Sequence, residues 1–183
     1  HMEVGPMGNF VYLVGDNETR EVCVVDPAWQ IDTILRTAEK ENLKIVGALV
    51  THGHFDHCNG LDELLLKADI PVYVQKDEAD FVKSFGAAHE VFGAFPDENI
   101  RKMSHGDKLK IGGTEITFLH TPGHTPGSQC FLVKDNLVSG DTLFVRGCGR
   151  CDLPGGDPAK MYESLTKTLM KLPDSTVLYP GHN

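Results

Sequence analysis

The sequence predicts an α/β domain in which two β-sheets pack face to face with helices outside. Three observations lead there. Short β-rich runs alternate with amphipathic stretches, the β-rich theme recurs in the second half, and no low-complexity linker divides the halves. With 183 residues, 40% hydrophobic and 23% charged, the chain reads as one domain, 1–183, able to bury a substantial core. The opening His1-Met2 resembles a tag remnant, so His1 is left out of any site.

In order, Phe10 to Val14 and Glu21 to Val25 are β-rich runs separated by Gly15-Asp16-Asn17, a hairpin pattern. Asp26-Pro27 closes the second run. Ile31, Ile34, Leu35 and Ala38 recur at helical spacing, with Asp32 and Thr33 near the start and Lys40 near the end. Ile45 to Val50 is apolar throughout, as in a buried strand. Leu61, Leu64, Leu65 and Ala68 mark another helix, with Asn59 as its expected cap. Pro71 to Val74 reads as a strand and Asp77 to Phe85 as a helix. Residues 86–106, with Phe92, Phe95 and Pro96, read as a long loop, either shaping a substrate pocket or simply connecting. Lys108 to Ile111 and Glu115 to Leu119 flank Gly112-Gly113, a hairpin signal. Gln129 to Val133 pairs with Asn136 to Ser139. Gly155-Gly156-Asp157-Pro158 opens a helix presenting Met161, Leu165, Thr168 and Leu169 on one side. Thr176 to Tyr179 is the last strand.

The net charge of −9 and the lack of any basic block exclude a nucleic-acid backbone as the main partner. No apolar run reaches the ~18 residues of a membrane span, and no signal peptide is visible. Five cysteines at irregular spacing do not form a disulfide framework, which points to a reducing cytoplasm. Cys148-Gly149-Arg150-Cys151 is a C-x-x-C, but it lacks the second pair of a zinc ribbon and a thioredoxin-like context. A small molecule is the expected partner, and a homo-oligomer is left open.

Chemistry concentrates in Thr51-His52-Gly53-His54-Phe55-Asp56-His57, directly after the apolar run to Val50. Three imidazoles and a carboxylate spilling from one strand end are ligands that suit zinc, iron or manganese. The bland alternative is a solvated polar loop. His124, Asp141 and His182 share that placement, each past a strand end and beside a glycine. Four strands thus aim His52, His54, Asp56, His57, His124, Asp141 and His182 at one rim. Seven ligands exceed one tetrahedral zinc and suit two metals about 3.5–4 Å apart. Tyr12, Phe144 and His120 read as core, His89 and His105 as surface or loop residues, and Thr51 as bonding within its loop. Arg150 is a candidate for an anionic substrate group or for an ion pair with Asp152 or Asp157.

On Thr51 to His57, matched residue for residue by T-H-x-H-x-D-H, and on His124, Asp141 and His182 in order, the sequence resembles the metallo-β-lactamase superfamily. The resemblance covers nearly the whole chain. It implies a four-layer αββα sandwich with His52, His54 and His124 on one metal, Asp56, His57 and His182 on a second, and Asp141 bridging them. Gly147-Cys148-Gly149-Arg150 and Asp152 to Asp157 further resemble the glyoxalase II-like group. That implies a hydrolase with two divalent metals, Zn²⁺ or alternatively Fe or Mn. It would deliver a hydroxide to a small thioester of hydroxyacyl-thiol type, with Asp56 as the catalytic carboxylate. Glyoxalase II enzymes grip glutathione with a C-terminal helical domain, whereas this chain ends one residue after His182, so the thiol carrier is left open. The G-C-G-R string also occurs in persulfide dioxygenases, which implies the alternative of one iron held by His52, His124 and Asp141.

Overall fold

A computed structural model describes residues 1–85, 91–93, 95 and 97–183, so His89 lies outside the described residues. In chain order the elements are β1 (Met2–Val4), β2 (Asn9–Gly15), β3 (Glu21–Val25), α1 (Ile31–Lys40), β4 (Lys44–Leu49), α2 (Phe55–Cys58), α3 (Leu61–Lys67), β5 (Val72–Gln75), α4 (Lys76–Phe85), β6 (Ile100–Met103), β7 (Lys108–Ile111), β8 (Thr114–His120), β9 (Gln129–Val133), β10 (Asn136–Gly140), α5 (Pro158–Glu163) and β11 (Val177–Pro180). One sheet runs β1-β2-β3-β4-β5-β6 and the other β11-β10-β9-β8-β7. The first is antiparallel across β1, β2 and β3 and parallel from β3 to β6. The second is antiparallel except for the parallel β10–β11 pair.

Side-chain alternation along the strands builds the layers. From the first sheet, Tyr12, Cys23, Val25 and Leu49 point inward to meet Ile116 and Phe118 of β8, Phe131 of β9 and Val138 of β10. Their neighbours Val11, Val24, Ala48, Val72 and Val74 point the other way, onto Ile31 and Ile34 of α1 and Leu61 and Leu64 of α3. On the second sheet, Leu119, Cys130 and Leu137 turn outward to Leu165 and Leu169 in the helical segment after α5. Both sheets are therefore covered on both faces, which explains why their strands read as nearly continuous apolar runs. The result is the expected four-layer αββα sandwich.

Three local expectations are corrected. Asn59 does not cap α3, whose preceding residue is Gly60; the Asn59 side chain instead accepts from the Trp29 backbone N–H at 2.7 Å. The stretch 86–106 is not one loop, because Ile100–Met103 adds β6 to the parallel edge of the first sheet. Its Arg101 and Lys102 are exposed, and charge of this kind suits an edge strand. The last helix is not uniform: α5, capped by Asp157, widens into a π-helical turn at Ser164–Thr168 and tightens at Leu169–Lys171.

The two sheets are stitched together at one rim. Gln129, at the start of β9, donates its backbone N–H to Thr51 O at 2.9 Å and its side chain to Val50 O at 2.8 Å. Phe10 N–H, at the start of β2, donates across to Gly181 O at 2.8 Å, while Gly181 N–H extends the β10–β11 pairing by donating to Gly140 O at 2.8 Å. The loops after β4, β8, β10 and β11 gather at this rim.

Candidate metal centre

All seven predicted ligand residues meet there. One donor atom from each of His52, His54 and His124 lies within 4.8 Å of the others, and the same holds for Asp56, His57 and His182, and for His52, His57 and Asp141. His57 Nε2 stands 3.1 Å from His182 Nε2, 3.4 Å from Asp56 Oδ2 and 3.4 Å from Asp141 Oδ1. Asp141 Oδ2 lies 3.7 Å from His124 Nε2 and 3.6 Å from His182 Nε2, so its carboxylate faces both groups. Asp141 follows Gly140, whose φ of +50° and whose contact with Thr51, 2.6 Å from where a Cβ would stand, both demand glycine.

Within the loop, His54 precedes the single turn of α2, which carries Asp56 and His57. The imidazoles are aimed from behind. His57 Nδ1 faces Asp26 Oδ2 at 2.9 Å, His124 Nδ1 the Arg150 carbonyl at 2.7 Å, and His182 Nδ1 the Met7 carbonyl at 3.2 Å. His52 Nδ1 lies 3.0 Å from Thr51 Oγ1. Anchoring one ring nitrogen on an oxygen leaves Nε2 as a lone pair turned towards the centre, the arrangement that orients metal-binding histidines.

The unpaired atoms of the donor set show that it fits a cation. His52 Nε2, His124 Nε2 and Asp141 Oδ1 are buried with no hydrogen-bond partner among the described residues. A buried polar atom without a partner costs about 1–3 kcal/mol, so three converging at one point indicate a missing ligand. The electrostatics of the two halves differ. Burial and the surrounding imidazoles push His52 well below the usual histidine value, and burial pushes His54 down to about 3. For His57, burial opposes charge, yet Asp141, Asp26 and Asp56 raise it to about 10. His182 is also raised, by Asp56 and Asp141 against the effect of burial. Asp56 is held well below the carboxylate range, because His182, His57 and Asn9 outweigh its burial. One half offers neutral lone pairs, and the other, rich in carboxylate, draws protons to where a cation would sit. Both fit divalent metal.

Three supporting residues escaped the sequence reading. Asp26, 3% exposed, accepts from the Thr51 N–H at 2.7 Å, the Thr51 hydroxyl at 2.6 Å and His57. Thr51 thus bonds within its own loop, to His52, and also across to the end of β3. Glu78 of α4, fully buried, accepts from Gly53 N–H at 2.6 Å, and from the Thr125 hydroxyl and Gly127 N–H at 2.8 Å each. It ties the His52–His54 loop to the His124 loop. Asn9 donates to Asp56 Oδ2 at 2.8 Å. An acid closing an apolar strand before Pro27 was a readable signal for Asp26. Glu78 resembles any acid in a first helical turn, and Asn9 carries no signal.

A cleft of about 600 Å³ opens over the centre, lined by His54, Asp56, His124, Asp141 and His182 and walled by Met7, Trp29, Phe55, Val91, Phe144 and Leu153. Its remaining lining is Cys148, Gly149 and Arg150. Phe144 is therefore part of the wall, not core, whereas Tyr12 is core, with its hydroxyl on Pro180 O. Val91, from the stretch read as a loop, does line the cleft. Arg150 reaches the rim but is paired with Asp152 through two contacts of 2.7 Å. His120 is only half-buried and bonds Pro126 O at 2.9 Å. Cys148 and Cys151 are free thiols. Among the described residues no helix is long and apolar enough to cross a membrane.

The profile of the metallo-beta-lactamase superfamily matches residues 4–182. The probable metallo-hydrolase YqgX of Bacillus subtilis is 35% identical over 189 residues, covering 99% of this chain and 88% of its own. The probable polyketide biosynthesis zinc-dependent hydrolase PksB of the same organism is 30% identical over 175 residues, 96% of this chain and 73% of its own. The crystal structure of TTHA1623 in a di-iron-bound form superposes with a TM-score of 0.80 at 30% identity, covering 100% of this chain and 91% of that one. With the ligand motif, the sandwich and the converging donor atoms, these matches settle the family: the chain belongs to the metallo-β-lactamase superfamily.

Proposed function

We propose that this chain is a metal-dependent hydrolase of small thioesters of the hydroxyacyl-thiol type. The observation that carries the reading is the convergence of seven donor residues in two groups, five of them on the floor of one cleft, with Asp141 facing both. His52, His54 and His124 would hold one divalent ion, Asp56, His57 and His182 a second, and Asp141 would join them. Zinc is the metal proposed, in line with PksB, and TTHA1623 makes iron the rival. Such ions lower the pKa of water towards neutrality and polarise a carbonyl oxygen.

The chain's own residues do the rest. Asp56, kept ionised and steadied by Asn9, accepts a hydrogen bond from the attacking water and so orients it. Asp26 keeps the His57 ring in place. Outside the ligand set, the titratable groups lining the described cleft are Cys148 and Arg150. A leaving group that needs protonation, such as an amine, finds little help there. A thiolate, of ordinary pKa near ~8.5, departs without it, which favours a thioester.

The test pairs elemental analysis with two assays on the purified protein: hydrolysis of matched thioester, ester and amide substrates, and oxygen uptake on glutathione persulfide. Two metals per chain with preferential thioester cleavage support the proposal. Asp56→Ala should then lose the second metal and most of the activity. One iron per chain with oxygen uptake establishes instead the persulfide dioxygenase, using His52, His124 and Asp141.

A further inference from the structure

The walls of the cleft differ in character from its floor. Met7, Trp29, Phe55, Val91, Phe144 and Leu153 supply an almost wholly apolar surface beside the ligand set. Met7 and Phe55 are 60% and 46% exposed, which is unfavourable for large apolar side chains unless something covers them. The aromatic part is deliberately placed. Trp29 sits at φ +57°, a left-handed conformation uncommon outside glycine, and its backbone N–H is held by Asn59 Oδ1 at 2.7 Å. Backbone held this way clusters at ligand sites. The indole that results meets Phe55 edge to face, with ring centroids 5.9 Å apart. Phe55 directly precedes the ligand residues Asp56 and His57, and the Met7 carbonyl holds the His182 ring. The apolar wall and the metal ligands are therefore one construction.

The charge of the lining points the same way. Among the described lining residues the cation is Arg150, whose Nε and Nη2 are paired with Asp152. An anionic substrate arm would have to share the guanidinium with the Asp152 carboxylate, whose own negative charge opposes it. An uncharged apolar arm breaks nothing and covers Phe55 and Met7.

We propose that the cleft selects substrates whose acyl arm is an uncharged apolar chain, seated on the Trp29–Phe55 pair and Met7, with its carbonyl over the ligand set. This rests on the hydrolase reading above, but its test does not. Trp29 is the chain's single tryptophan, so its fluorescence reports the cleft alone. The metal-loaded protein is titrated with unbranched carboxylates from acetate to octanoate, by fluorescence and in parallel by calorimetry. The head group is constant across the series, so the chain-length dependence isolates the wall.

Affinity should rise by about two- to fourfold per methylene, up to the value for full burial of each group, until the cleft is filled. Phe55→Ala and, as a second variant outside the loop of Asp56 and His57, Leu153→Ala should flatten that dependence when compared at the same metal loading as the parent. Affinity independent of chain length, or dicarboxylates bound more tightly than monocarboxylates of equal length, overturns the inference. A rising series without thioester turnover removes the hydrolase reading and leaves this one standing. Turnover with a flat series does the reverse.

Discussion

Replacing Asp26 by Asn tests whether the metal centre depends on a residue that binds no metal. The backbone should not move, because Asn is one of the few side chains that tolerates the φ of +50° found there. The carboxylate now receives three donors: Thr51 N–H on Oδ1, and the Thr51 hydroxyl and His57 Nδ1 on Oδ2. A carboxamide can keep only one of its two positions as an acceptor. With its NH₂ at the Oδ1 position it would face the Thr51 N–H, leaving buried donors opposed at about 1–3 kcal/mol. With its NH₂ at the Oδ2 position the Thr51 hydroxyl can turn to accept, but His57 must present a lone pair at Nδ1 and carry its proton on Nε2. That proton occupies the atom meant for metal. On the two-metal proposal, the ion assigned to Asp56, His57 and His182 should bind about 10–100-fold more weakly, as is usual when a partner behind a ligand is lost. The first ion should be little changed. Loss of the charge-assisted bonds should also lower the stability of the metal-free protein by about 1–2 kcal/mol, a few degrees in melting temperature for a chain of this size. Metal content after dialysis against graded metal buffers, with calorimetric titration, measures the effect. Two ions retained at an affinity within threefold of the parent would refute the tautomer argument.

Other predictions follow the same physics. Glu78→Gln turns one of two acceptors into a donor facing Gly53 N–H or Gly127 N–H, so it should cost about 1–3 kcal/mol per opposed donor and loosen the ion on His52, His54 and His124; unchanged melting and metal affinity would contradict it. Gly181→Ala places a Cβ 2.4 Å from Asp141 Oδ1, so elemental analysis should find metal lost from a chain that circular dichroism still shows folded. In the metal-free protein, stability should peak near the ordinary histidine value of 6.5. His54, lowered to about 3, is neutral when folded but protonates when unfolded, so stability falls as pH drops from 6.5 towards 3. His57, raised to about 10, is charged when folded but not when unfolded, so its contribution disappears as pH climbs from 6.5 through 10. Denaturant melts across pH 4 to 10 with chelator present should trace that dome, and a monotonic profile would overturn it. Chelation itself should lower the melting temperature, because free metal at a thousand times its dissociation constant adds about 4 kcal/mol.

Much of this molecule was already written in local pattern. The hairpin of β2 and β3, the helix from Ile31, the apolar run into Thr51 and the Gly112-Gly113 turn are short-range signals, and alternation or 3.6-residue spacing carries them without tertiary help. The ligand residues were legible because imidazoles and carboxylates beside glycines after strands have no packing purpose. What the chain alone did not reveal depends on partners far away in sequence. Ile100–Met103 is a strand only because β5 offers it an edge. Asn59 turns from its helix to hold Trp29 because the loop before α1 arrives beside it. Glu78 and Asn9 look like any surface acid or amide until the fold buries them 25 to 49 positions from the groups they steady, and although Asp26 at a strand end is readable, its partners Thr51 and His57, 25 and 31 positions on, are not. Phe144 and Phe55 are apolar residues of a kind that usually fills a core, and only the meeting of the two sheet rims makes them a wall. Residue type and spacing determined which atoms can bind metal; the packing of one sheet on the other decided how those atoms are aimed and what lies above them.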